Sequence, residues 1–222
     1  MNLNEVLIFL ESQSNPSRKK TLIKAGASIN TYGVLLGTLR KYAAQIGINH
    51  ILAKELWKTH NTDARLLAIM LFDVDKLTIE NIINDLESID FVQVLDDYMF
   101  RVIKDYKLIN ELQDSLKKYR NDLMMRAYWA IYVIKIEGQL LNHNEIDELI
   151  TIITNELIDA KPHTQWMMNR AFATIGIKYE NYRENVLKIS EKLGVYKDMK
   201  VSKGCTSAYV PSWINAVIKN NK

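Results

Sequence analysis

"MRAYWAIYV", residues 125–133, decides the fold class. Its apolar side chains recur at helical rather than alternating spacing. On a wheel of about 100° per residue the surrounding segment, 120–136, is apolar nearly all round, as an inner helix would be. Two other segments look like it, "DARLLAIML" (63–71) and "NRAFATIGI" (169–177), each with an arginine followed by small and apolar residues. Arg65 to Arg126 spans 61 positions and Arg126 to Arg170 spans 44, so the period is loose. Degenerate helical repeats of roughly 40–47 residues tolerate such drift.

Working outward, the same periodicity predicts helices near 2–13, 16–27, 31–46, 49–58, 62–73, 78–88, 90–105, 107–118, 121–137, 144–158, 163–179, 183–193 and 208–219. "SNPS" (14–17) starts a helix with proline behind a polar cap, Gly47 ends one, and Thr78 is placed to cap another. Short polar connections make successive helices antiparallel neighbours. The stretch 194–207 lacks helical periodicity and reads as an ordered loop before a last helix. The expected fold is therefore all-α, a right-handed α-solenoid or superhelix of helix pairs of the HEAT kind, as one domain over 1–222. A closed helical bundle is the alternative.

Composition narrows the function classes. The chain has 222 residues, 8 Gly, 3 Pro and one Cys, with a formal net charge of +3. So little Gly and Pro leaves few turns for an all-β fold. No stretch reaches the apolar length of a membrane span, the first residues lack a signal-peptide pattern, and the single Cys205 suits the cytoplasm. His50, His60, His143 and His163 never pair at i,i+4, so neither a metal nor a cofactor is expected. The basic groups "SRKK" (17–20), "LRK" (39–41), "KKYR" (117–120) and Lys188, Lys192, Lys197, Lys200 and Lys203 fall at helix ends or in late helices and loops. They offer either phosphate contacts along a groove or a mixed solvated surface.

Three charged residues stand out. In "DFVQVLDDYMF" (90–100) the wheel sets Asp97 on the wet side, within i,i+4 reach of Arg101, and Asp96 at the border of the apolar face, between Val92 and Phe100. Arg126 lies among Leu123, Trp129, Ala130 and Val133, and Arg170 beside Trp166, Met167 and Thr174. A buried guanidinium needs a carboxylate, carbonyls or an anionic ligand. Two readings stay open for these residues: an internal Asp–Arg pair between neighbouring helices, or a site that faces a ligand.

From about residue 31 the chain resembles the bacterial DNA alkylation repair proteins, HEAT-like-repeat DNA glycosylases of the AlkD type. The resemblance is carried, in order, by "YGVLLGTLRKYAAQIG", "HILAKELWKTHNTDARLLAIML", "DFVQVLDDYMF", "LMMRAYWAI", "WMMNRAFATIGIKYENYRENVLKISEKLG" and "GCTSAYVPSWI". It implies a basic concave groove for duplex DNA and cleavage of the N-glycosidic bond of 3-methyladenine or 7-methylguanine; a monomer is expected. An alkylated purine is already a cationic leaving group, so stabilising the sugar cation counts for more than protonating the base. The resemblance assigns the catalytic aspartate to Asp96 and a phosphate-holding arginine to Arg126; Arg170, singled out by the wheel, is expected as a further DNA contact. The tryptophans it implies are Val92 and Thr174 in this sequence, which leaves Trp129 and Trp166 as the aromatic DNA contacts. The alternative function is a catalytically silent helical-repeat module that binds DNA structure or a protein partner.

Overall fold

Asparagine starts most of the helices that have a side-chain cap. Asn2, Asn15, Asn49, Asn61, Asn121 and Asn142 each accept an N–H of the first turn, and Thr78 does the same for one more helix. Each such cap contributes about 1 kcal/mol. The computed structural model describes residues 2–220. Among these it has thirteen α-helices and no strand. They are α1 Leu3–Ser12, α2 Pro16–Lys24, α3 Leu36–Ile46, α4 His50–Lys58, α5 Thr62–Leu71, α6 Ile79–Glu87, α7 Val92–Arg101, α8 Ile109–Leu116, α9 Asp122–Glu137, α10 His143–Glu156, α11 Pro162–Lys178, α12 Glu180–Leu193 and α13 Val210–Asn220. Short 3₁₀ turns at Val74–Lys76 and Ile103–Asp105 complete the set. The chain forms two compact units that divide between Ser115 and Leu116.

In the first unit α5 is the axis. Thr62 through Ile69 and Leu71 are all buried, and α5 packs against α3, α4 and α7. Trp57, Phe72 and Tyr98 form a ring cluster with centroids 5.1–6.0 Å apart. The largest departure from the sequence reading lies at residues 31–35, where a helix is expected and the backbone is non-helical. The carboxylate of Asp63 captures it. Oδ2 accepts the Thr31 hydroxyl at 2.7 Å, the Tyr32 N–H at 2.6 Å and the Gly33 N–H at 3.1 Å, and Oδ1 accepts the Val34 N–H at 2.9 Å. A charged acceptor for three backbone donors outweighs the local helical preference. Gly33 has φ +77°, and a Cβ there would lie 2.5 Å from the Lys19 nitrogen, so only glycine fits the passage.

In the second unit α9 and α11 lie along one another, both buried on nearly every side. Amphipathic α10 and α12 flank α11, and α13 closes on it. Gly176 permits that closure: a Cβ there would come 2.5 Å from Cδ1 of Ile214. The segment before α13 is non-helical as expected, and the Asn169 side chain donates to the Ala208 carbonyl at 2.8 Å.

Candidate nucleic-acid interface

Asp96 lies on α7, which starts behind Phe91 without a side-chain cap. It is half-buried. With Ala25, Leu36, Phe91, Val92, Gln93, Asp97 and Phe100 it lines a cleft of about 550 Å³. Asp97 makes the expected pair with Arg101, Oδ1 to Nε 3.0 Å, on a surface where such a pair is worth about 0.3–0.5 kcal/mol. The two acids divide less cleanly than the wheel suggests, because Asp97 also borders the cleft. Val92 is half-buried and lines the cleft with Asp96, one helical turn before it.

The remaining expected residues belong to the second unit. Arg126 is 4% exposed and donates from Nη1 to the His163 carbonyl at 3.1 Å. The opposite pole of the same turn is held by Asp122, which accepts the His163 N–H at 3.0 Å, the Thr164 N–H at 2.8 Å and the Thr164 hydroxyl at 2.7 Å. Burial alone would push the Asp122 carboxyl up, but these hydrogen bonds outweigh it and hold the group below its ordinary value. The start of α11, which has no side-chain cap of its own, is thus clamped by α9 from both sides. Arg170 is half-buried and pairs with Glu137, Nη2 to Oε1 3.1 Å. Trp129 is 2% exposed and packs among Tyr128 and Tyr132. Trp166 is half-buried, its ring set at an angle against Tyr196 with centroids 5.4 Å apart. Thr174 is buried, with its hydroxyl turned back to the Arg170 carbonyl at 2.7 Å.

Sequence reasoning missed the acids that organise each unit. Asp63 and Asp122 both lie in the first turn of a helix that starts behind an asparagine cap, and that pattern was the available signal. It missed Arg65 as well, which is 2% exposed and donates to the carbonyls of Trp57 and Ser88. Burial pulls its pKa below the ordinary guanidinium value, and its charge stacks 4.9 Å over the Trp57 ring. The basic residues Arg40, Lys41, Lys117, Lys118, Arg120, Lys188, Lys192, Lys197, Lys200 and Lys203 are all exposed. Among the described residues no cluster of His, Cys, Asp and Glu is arranged to hold a metal ion, and no helix is long and apolar enough to cross a membrane.

Comparison with known proteins gives this geometry its context. A solved structure described as "a new family of proteins related to the HEAT-like repeat DNA glycosylases with affinity for branched DNA structures" superposes with a TM-score of 0.85. The match covers 99% of this chain and 95% of that one at 20% identity, and it shows the all-α, HEAT-like-repeat fold. The uncharacterized protein Lin0241 of Listeria innocua serovar 6a is 26% identical over 95% of this chain and 93% of its own. The uncharacterized protein Lmo0209 of Listeria monocytogenes serovar 1/2a is 24% identical over the same shares. The family model described as DNA alkylation repair enzyme matches residues 8–195, across both compact units, and the chain belongs to that family.

Proposed function

We propose that the protein binds DNA through phosphate contacts from its exposed lysines and arginines and prefers branched or distorted duplex to linear duplex. Family membership and the branched-DNA affinity described for the structural neighbour support this reading. The observation that carries it is the state of the two aromatic positions. A valine, Val92, lines the cleft beside Asp96 where a ring is implied, and Thr174 is buried and bonded to its own helix. Such a chain keeps the scaffold and the cations while lacking the rings that would grip a deoxyribose. A four-way junction is expected to compete at least about tenfold better than linear duplex of equal length, with affinity falling steeply between roughly 50 and 200 mM salt as counterions are released. Equal affinity for junction and linear duplex, measured by gel shift or fluorescence anisotropy, overturns it.

A second reading, N-glycosylase activity on alkylated purines, is favoured by Asp96 alone. Its carboxylate borders a mostly apolar cleft, where it would stabilise the sugar cation formed as the C1′–N bond breaks and its electron pair neutralises the departing purine. Water then adds at C1′ and releases a proton. Methylated duplex incubated with the protein is expected to release 7-methylguanine or 3-methyladenine, seen by chromatography, and Asp96→Asn to slow release by about a hundredfold or more. Absence of free base, or equal rates for the variant, removes the glycosylase reading and leaves DNA binding standing.

A further inference from the structure

A cavity of about 580 Å³ lies wholly within the second unit and shares no lining residue with the Asp96 cleft. Its wall on α9 is Met125, Tyr128, Trp129 and Tyr132. At about 100° per residue, Met125, Tyr128 and Tyr132 project from the side of α9 opposite Arg126. The three rings are set edge-on or tilted to one another, with centroids 5.2–6.0 Å apart. The Tyr128 and Tyr132 hydroxyls are 3.2 Å apart and hydrogen-bonded. Burial, then the Tyr128 hydroxyl, raises the Tyr132 phenol far above its ordinary value, so it stays a protonated donor.

Polar groups complete the lining. Lys161 Nζ donates to the Arg120 carbonyl at 3.1 Å, and Arg120 Nη1 donates to the Lys117 and Tyr119 carbonyls at 2.7 Å. Lys117, Arg120 and Lys161, linked through these main-chain bonds, all line the cavity. From the end of α10 and the turn after it, Asn155, Glu156 and Asp159 add an amide and two carboxylates. The volume is that of a small-molecule site, and the mixed lining restricts what fits it. Inorganic phosphate would leave the aromatic wall unused and meet two carboxylates. An apolar ligand would leave the charged and amide groups of the lining unused.

We infer that this cavity binds a nucleotide unit, with the base against Tyr128, Trp129 and Tyr132, the phosphate at Lys117, Arg120 and Lys161, and the sugar hydroxyls or base amino groups on Asn155, Glu156 and Asp159. A base presents a planar face for the rings and edge groups for the phenols, and its phosphate is matched by the clustered cations. The unit can come from a free mononucleotide or from an unpaired residue of a strand, and the test separates the two. GMP, AMP, adenosine, inorganic phosphate and a short single-stranded oligonucleotide are each titrated calorimetrically into the full chain. The variants are Asn155→Trp, which fills the mouth from an exposed helix position, and Lys161→Ala, with circular dichroism melts to establish folding.

GMP or AMP is expected to bind at least about tenfold more tightly than adenosine or phosphate, and both variants to lose at least about tenfold of that affinity. Oligonucleotide binding weakened by Asn155→Trp, without mononucleotide binding, assigns the site to an unpaired residue of a strand. If neither nucleotide nor oligonucleotide binds, or if Asn155→Trp binds as the wild type does, the inference fails. Junction affinity measured on the same variants keeps this failure distinct, because wild-type junction binding with no nucleotide binding rejects the cavity alone.

Discussion

Asp63→Ala is expected to lower the free energy of unfolding by about 3–5 kcal/mol, among the larger effects of a single substitution. The carboxylate is fully buried and accepts three backbone N–H groups and one hydroxyl from residues 31–34. Alanine leaves the buried Val34 N–H without its acceptor and the Gly33 N–H with only the Thr31 hydroxyl at 3.3 Å, an unpaired buried donor costing about 1–3 kcal/mol, and it cuts the tie between α5 and the passage before α3. Asp63→Asn keeps an oxygen but presents an amide N–H₂ to one set of donors, so an intermediate loss is expected. Urea unfolding measures both. A loss below about 1 kcal/mol for the alanine variant would show that the passage is held by packing instead.

Asp85→Asn is expected to act in the opposite direction, and only above mildly acidic pH. Burial raises the Asp85 carboxyl to about 6, against the opposing pull of the Tyr98 hydroxyl, Lys54 and Arg65. The Tyr98 hydroxyl donates to Asp85 Oδ2 at 3.0 Å, and an asparagine oxygen can accept the same bond. Because the folded carboxyl keeps its proton to higher pH than the unfolded one, the native state binds more protons between the two values. Stability therefore falls as pH rises from about 4 to about 6, and the deficit persists above that window. Ionising such a carboxyl in the folded state costs about 3 kcal/mol, discounted to about 2 for a half-buried group. Thermal melts at about pH 4.5 and 7.5 should show the variant gaining on the wild type mainly at the higher pH. An equal difference at both pH values would sink this account.

The helices were legible because periodicity and capping are local. Asn15 with Pro16, Gly47 and Thr78 act within one turn of their own position, and all three boundaries fall where expected. Residues 31–35 were illegible for the opposite reason. Their apolar pattern continues into α3, and the carboxylate that pulls them out of helix lies about 30 positions further on. The family pattern singled out Asp96, and that residue lines a cleft. The same pattern could not show that Arg126 lies against the His163 carbonyl, nor that Thr174 folds back on its own helix.

The sequence by itself determined an all-helical, repeat-bearing chain of the DNA alkylation repair family, since residue spacing and motif order are properties of the chain alone. Tertiary structure alone decided which charges are committed. Asp63, Arg65 and Asp122 are each bound to main-chain groups distant in sequence, and Arg170 to Glu137. It also decided which cavities open, at Asp96 and beside Tyr128 and Tyr132. A charge on an apolar face reads the same in one dimension whether it binds a carbonyl or faces a ligand, and only the position of the partner backbone separates the two.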